Sequence, residues 1–230
     1  MKFRSGLAVL GFVFTSTACA AGSLGSRVPI PDPDRAESRA RRDNPDPNTL
    51  QVVFQWSIRE PDLQIDGRGF ARLQSPDRAR FDLFMDNNER VLAATLVGDE
   101  MCSREERALE FVPSPALLWA SLGVFRPGEG VTRLGAEAYE DGALGDYRLT
   151  YRLPDGDELR YEIRSRRMSE VDLRHDGSLA HSIDLTIENG RQLPGETTYR
   201  NLAAFSRLRV TVESVESMDS FPSDIWYSVC

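Results

Sequence analysis

From Leu50 onward the chain keeps returning to a period of two, and no other feature constrains its fold as tightly. Leu50, Val52, Phe54, Trp56 and Ile58 fall on one parity, and Gln51, Gln55, Ser57 and Arg59 fall on the other. A helix would spread this pattern around its circumference, whereas a strand places it on one face, so the segment reads as a strand with one buried side. The same alternation recurs in Leu63, Ile65, Gly67, Gly69, Ala71 and Leu73, then in Ala79, Phe81, Leu83 and Met85, followed by the apolar strand Val91 to Val97. Ser75-Pro76-Asp77 and Asp86-Asn87-Asn88 supply turn chemistry between them. A second run holds Tyr147, Leu149, Tyr151 and Leu153, then Leu159, Tyr161 and Ile163, then Val171 and Leu173, Ile183 to Ile187, and Leu208 to Val212. Its turns are Pro154-Asp155-Gly156, His175-Asp176-Gly177-Ser178 and Asn189-Gly190, of which Asp-Gly is a strong hairpin signal. About ten strands in hairpin order, each apolar on one side, predict a mainly β (α+β) fold: a half-open antiparallel β-barrel.

Between Pro113 and Arg126 the period breaks, and Leu117, Leu118, Trp119, Leu122, Val124 and Phe125 are apolar on nearly every side. A short helix of this kind must be buried or must plug something, so it is expected to cover or fill the concavity of the barrel. Two readings stay open, a lid over a ligand site and a core helix that completes packing. Under either, Phe54, Trp56, Phe81, Leu83, Tyr151 and Tyr161 line the interior. A membrane-spanning barrel would turn the same apolar face outward, but the strands lack paired aromatic girdles and the apolar helix would then have nothing apolar to sit in.

The first eighteen residues read as an export signal, cationic at Lys2 and Arg4 with an eight-residue apolar run from Leu7 to Phe14. That run is too short for a helix to span a bilayer, which takes about 20 residues. Ser16-Thr17-Ala18-Cys19 resembles the lipobox of bacterial lipoproteins, in which signal peptidase II cuts before a cysteine that becomes acylated; Ser16 departs from the usual aliphatic residue. The competing reading is an ordinary secretory signal cut near Ala18, Ala20 or Ala21. Residues 19–49, with Pro29, Pro31, Pro33, Pro45 and Pro47, read as an acylated cysteine followed by a disordered tether, leaving residues 50–230 as the folded domain. Ala20 is not the Asp that retains many lipoproteins in the inner membrane, so the outer membrane is the expected site, with the domain facing the periplasm.

The formal charge of −8 disfavours nucleic acid as a partner, and also direct adhesion to anionic lipid headgroups. No G-x-S-x-G, H-E-x-x-H, P-loop or C-x-x-C pattern occurs, so nothing points to an enzyme, a metal site or a cofactor. His175 and His181 flank a hairpin turn and are expected on its solvent face, and acid pairs such as Asp99/Glu100 and Glu105/Glu106 read as solvated turn residues. Besides Cys19, the cysteines are Cys102 and Cys230; an oxidising compartment permits a bridge between them, which spacing alone leaves open.

The segment Gly67-Arg68-Gly69-Phe70-Ala71-Arg72-Leu73-Gln74-Ser75-Pro76-Asp77-Arg78-Ala79-Arg80-Phe81-Asp82-Leu83, followed by Val91 to Asp99, resembles the G-x-G-x-h-x-h-x-x-P-x-x-h-R-h-x-h run of the LolA/LolB superfamily of lipoprotein-localisation factors, where h is apolar. Strand order and helix placement match that family over residues 50–216. The resemblance implies a half-open barrel whose apolar cavity receives acyl chains of lipids or lipoproteins, and LolB is itself a lipoprotein. Two positions depart from the pattern. Ser75 stands where the LolA carrier has an arginine that helps hold its lid shut, and the loop Asp86 to Glu89 is polar where LolB projects a leucine. The alternative is a structural or interaction lipoprotein, packed throughout, whose outer face docks an envelope protein partner. Under the lipobox reading Cys19→Ser abolishes acylation and moves the protein to the soluble periplasmic fraction; retention on membranes after a salt wash would place the anchor elsewhere.

Overall fold

The structure, a computed structural model, describes residues 26–140, 145–188 and 190–227. The expected signal segment, Cys19 and Cys230 lie outside the described residues. In chain order the first half contains β1 (Arg27–Pro29), α1 (Pro33–Asp43), β2 (Leu50–Glu60), β3 (Leu63–Gln74), β4 (Arg78–Met85), β5 (Arg90–Val97), β6 (Glu100–Ser103), α2 (Glu106–Leu109) and α3 (Pro115–Ser121). The second half contains β7 (Thr132–Tyr139), β8 (Tyr147–Arg152), β9 (Glu158–Arg164), β10 (Arg167–His175), β11 (Ser178–Thr186), β12 (Glu196–Asn201), β13 (Ser206–Ser217) and a 3₁₀ turn at Ser223–Trp226.

The strands form one antiparallel sheet in the order β1-β7-β8-β9-β10-β11-β12-β13-β2-β3-β4-β5-β6. Neighbours in sequence are neighbours in space except at two places: β1 pairs with β7, and β13 closes back onto β2, pairing from Arg207↔Arg59 to Ser217↔Leu50. The edges β1 and β6 do not pair, so the sheet curls without closing. The half-open antiparallel architecture is as expected, but the strand count is thirteen among the described residues, against about ten. The alternation missed four strands for physical reasons. β7 carries a bulge between Arg133 and Gly135 that shifts its parity and leaves Leu134 exposed. β12 buries only Thr197 and Tyr199, and β1 and β6 span three and four residues.

The tether expected before Leu50 is corrected over residues 26–49, which belong to the folded unit. α1 starts on an Asp32 cap, whose side chain accepts the Arg35 N–H, with Pro33 in the first turn. Its composition is polar, yet Ala36 and Ala40, four residues apart, form a narrow stripe small enough to pack against the sheet. Charge pairs hold the rest: Arg133 reaches Asp34 and Glu37, and the Arg166 guanidinium grips Asp43 through two bonds of 3.0 and 2.9 Å. Beyond its end, buried Asn44 donates to the Ala40 carbonyl and accepts the Met168 N–H at 2.9 Å, while its own carbonyl accepts the Phe125 N–H.

The glycines of the G-x-G segment have a direct structural cause. Gly67 pairs with Trp56 and Gly69 with Phe54, and the two rings lie across β3 where side chains would otherwise stand. A Cβ on Gly67 would come within 2.1 Å of the Phe84 carbonyl oxygen and 2.8 Å of the Trp56 ring. The Trp56 indole N–H meanwhile donates to the Arg68 carbonyl at 3.1 Å. Cys102 on β6 is disulfide-bonded, with its partner outside the described residues.

Gly67→Ala should lower stability by about 1–3 kcal/mol through overpacking against backbone. Gly135→Ala, where a Cβ meets nothing within 4 Å, should leave the urea midpoint nearly unchanged. Equal midpoints for the two variants would contradict the close approach.

Candidate functional site

The concave face of the sheet is apolar throughout but packed unequally. On the β7–β11 side, Leu149, Leu159, Ile163, Val171 and Ile183 are fully buried, and α1 lies over them. Phe125, Tyr151 and Tyr161 interlock there, with ring centroids 4.7 Å apart for Phe125–Tyr161 and 6.1 Å for Tyr151–Tyr161. Burial pushes both phenols well above their ordinary range, so they stay neutral.

On the β2–β5 side the packing opens into a chamber with two lobes. The inner lobe, about 90 Å³, is walled by Phe54, Trp56, Phe81 and Leu83 from the strands and by Leu118 and Leu122 from α3 and its end. The outer lobe, about 210 Å³, shares Trp56, Leu83, Leu92, Val112 and Leu208 with the first and adds Ile58, Ile65, Val91 and Phe111. Polar atoms are almost absent from both. Tyr199 brings its hydroxyl to His181 Nδ1 at 2.9 Å; burial raises that phenol and lowers the imidazole below its usual value, so neither adds charge at neutral pH.

α3 divides its side chains between the two regions. Leu117 and Ala120 join the packed half; Trp119 is fully buried in the other and donates its indole N–H to the Gly98 carbonyl at 2.8 Å. Arg126 lies 4.8 Å over the Trp119 ring and bonds to the Pro76 carbonyl. The outer lobe is covered instead by Ala108, Phe111 and Val112 in and after α2. Glu105 ties the start of that cover to β5, accepting from Ser103 Oγ at 2.9 Å and from the Ala93 N–H. Burial there opposes ionisation, but these hydrogen bonds and Arg90 outweigh it and hold the Glu105 carboxyl below its usual range.

Of the eleven side chains expected at a ligand site, Phe54, Trp56, Phe81, Leu83, Leu118 and Leu122 meet at the chamber. Leu117, Trp119, Phe125, Tyr151 and Tyr161 lie outside its lining, as packed core. All five are on the apolar side, but α1, whose packing stripe was not foreseen, helps to fill the space beside Tyr151 and Tyr161. Sequence reading missed Leu92, Val112, Leu193, Pro194 and Tyr199. Leu92 sits in a recognised strand; Leu193 and Pro194 sit in a loop whose sequence carries no periodic signal. Of the two histidines, His175 is exposed as expected and bonds Asp157, whereas His181 is half-buried against Tyr199. Among the described residues no three metal-ligating side chains gather, and no helix is long and apolar enough to cross a membrane.

These features define a class: an open, strongly curved antiparallel sheet whose apolar concavity, under short helices, retains a lipophilic chamber. Solved structures place the fold. The chain has the fold of the LolA superfamily. It is similar to a LolA superfamily protein from Nitrosomonas europaea at 12% identity and a TM-score of 0.58, over 84% of this chain and 96% of that one. A domain from Vibrio parahaemolyticus assigned to outer membrane lipoprotein sorting gives 6% identity and a TM-score of 0.53, over 84% and 95%. A DUF1329 family protein from Desulfovibrio piger gives 9% and 0.51, over 85% and 98%. No family model matches the sequence, and no curated protein matches it.

The two roles of α3 separate by mutation. Leu117→Ala should destabilise by about 2–5 kcal/mol, as for a buried leucine in a closed core. Leu122→Ala, at the partly exposed chamber wall, should cost less than about 1.5 kcal/mol. Denaturant midpoints of both variants check this, and equal losses would refute the division.

Proposed function

We propose that this protein is an outer-membrane lipoprotein, anchored through acylated Cys19 with its domain in the periplasm, that binds acyl chains of lipids or lipoproteins in the two-lobed chamber. It serves as acceptor or carrier in lipoprotein localisation and does no covalent chemistry. The observation that carries this reading is the chamber itself, a void with almost no polar atom in its walls inside an otherwise close-packed sheet. Such voids are rare in folded proteins, which fill their interiors to crystal-like density. The LolA fold and the disulfide at Cys102, which suits an oxidising compartment, point the same way.

The outer lobe exceeds the roughly 150 Å³ that lets an apolar cavity take up benzene, while the inner lobe falls below it. A long chain therefore enters by displacing the cover, Phe111 and Val112 first and then Leu122. Each methylene sheltered contributes about 0.8 kcal/mol, so transfer is governed by which site shelters more of the chain. The packed β7–β11 half favours the second reading, a structural lipoprotein, only if the chamber takes up nothing.

The unacylated full chain should take up an environment-sensitive fatty-acid probe, and palmitate should displace it. Leu122→Trp, which fills the inner lobe, should weaken uptake about tenfold or more, near the value of two buried methylenes. A wild-type chain that takes up no acyl ligand, with its fold intact by circular dichroism, would sink the reading.

A further inference from the structure

One end of the sheet carries features that the chamber does not use. The connection between β12 and β13, Leu202-Ala203-Ala204-Phe205, is exposed at all four residues. Phe205, at 79% exposure, is the most exposed large apolar side chain among the described residues. Its φ of +53° lies in the left-handed region that bulky residues rarely occupy, and the Asn201 side chain accepts the Ala204 N–H to hold the turn. Leu63, 40% exposed, is the first residue of β3, just past the neighbouring β2–β3 turn.

Directly behind this tip, Arg207 of β13 and Arg59 of β2 are cross-strand partners. Both are exposed, and among the described residues neither has an ion-pair or hydrogen-bond partner. Arg200 of β12 is the next in the row, opposite Arg207, and is engaged by Asp184. Like charges set directly opposite each other destabilise a sheet. An apolar tip in strained backbone above an uncompensated arginine pair is a conflict with folding that an external anion would relieve.

We propose that this end docks on the headgroup layer of an anionic phospholipid bilayer. Phe205 and Leu202 enter the boundary between headgroups and acyl chains, and the Arg59 and Arg207 guanidiniums take lipid phosphate oxygens. The charge complementarity is local: the chain as a whole carries −8 and is repelled by such a surface, so contact is confined to the face where two cations stand unpaired. Ile58, Ile65 and Leu208, walls of the outer lobe, lie at this same end, next to Arg59, Gln64 and Arg207 along their strands. Docking there turns the outer lobe toward the bilayer. The proposal does not require the chamber to hold a ligand.

The test uses the full chain with Cys19→Ser, so that no acyl anchor contributes, and vesicles of phosphatidylcholine with or without phosphatidylglycerol. Sedimentation should show binding to the phosphatidylglycerol vesicles that weakens with salt. Phe205→Ser should lower the partition coefficient about tenfold, the size expected for one aromatic side chain withdrawn from an apolar layer. Arg59→Gln and Arg207→Gln should each lower it about fivefold and flatten the salt dependence. Fatty-acid probe uptake by all three variants should match the parent, which separates this surface from the chamber. Equal binding of parent and variants, equal binding to neutral vesicles, or no vesicle binding would each overturn the proposal. Crosslinking to an envelope protein that is lost in the same variants, without vesicle binding, would assign the surface to a protein partner instead.

Discussion

Trp56 lies over Gly67, and Phe54 over Gly69, because neither glycine has a Cβ to hold the rings away. That close approach shapes the sheet on which the rest of the molecule depends. With side chains absent from β3 at two alternate positions, the large rings of β2 lean across it, and the strands can curve where a row of side chains would wedge them apart. The curvature makes one face concave, and that face collects the apolar residues of the strands into two adjoining clusters. The rings are also the floor of the chamber, so one packing device both bends the sheet and furnishes the lipophilic wall.

The convex face is organised by the opposite chemistry. Asp82, buried beneath the surface, is held between Arg72 at 2.7 Å and Arg80 at 3.0 Å, and Arg80 passes on to the Ile225 carbonyl, tying the 3₁₀ turn with its buried Trp226 to β4. On the other half, Glu162 accepts from Tyr139 and Arg148, while the acids Glu162, Glu170 and Asp184 stand in one row across β9, β10 and β11. Burial first, then the neighbouring carboxylates of Asp172, Asp184 and Glu162, raises the Glu170 pKa. A carboxyl raised on folding binds its proton more tightly in the native state, so its contribution is favourable in acid and is lost as pH rises through the folded value. Many arginines of this surface are thus held in specific pairs, Arg59 and Arg207 standing apart from them, and most of the exposed pairs contribute little to stability individually.

How much of this was legible follows from the kind of signal each part carries. Alternation from Leu50 to Leu83 placed β2, β3 and β4 and named four chamber walls, because period two maps directly onto one face of a strand. The same logic could not separate Phe54 and Trp56, which face a void, from Tyr151 and Tyr161, which face filled space. Face is encoded locally, whereas what occupies the opposite side is decided by a distant segment. That segment is α1, whose two buried alanines give almost no hydrophobic signal, and whose clamps, Arg133 and Arg166, lie about a hundred residues further along the chain. β7 was hidden by a bulge, which changes parity and erases the pattern being read. The G-x-G motif was visible as a resemblance, but its cause, an oxygen and a ring within contact of two absent Cβ atoms, exists only in three dimensions.

The unequal packing of the two halves is best understood as a division of mechanical roles along one sheet. Leu149, Leu159, Tyr161, Ile163 and Ile183, all fully buried, make the β7–β11 half a closed core that resists deformation. The β2–β5 half shares the same continuous hydrogen-bonded sheet, so its strands are held in place without needing a filled interior of their own. Trp119, locked to Gly98 and stacked under Arg126, fixes α3 at the seam between the halves. In the segment after β6 that covers the outer lobe, none of Ala108 to Val112 is fully buried, and elements of that kind open at low free energy while the remainder stays folded. A void beside a rigid core, under a cover that is cheap to move, can change what it shelters without the fold passing through a disordered state.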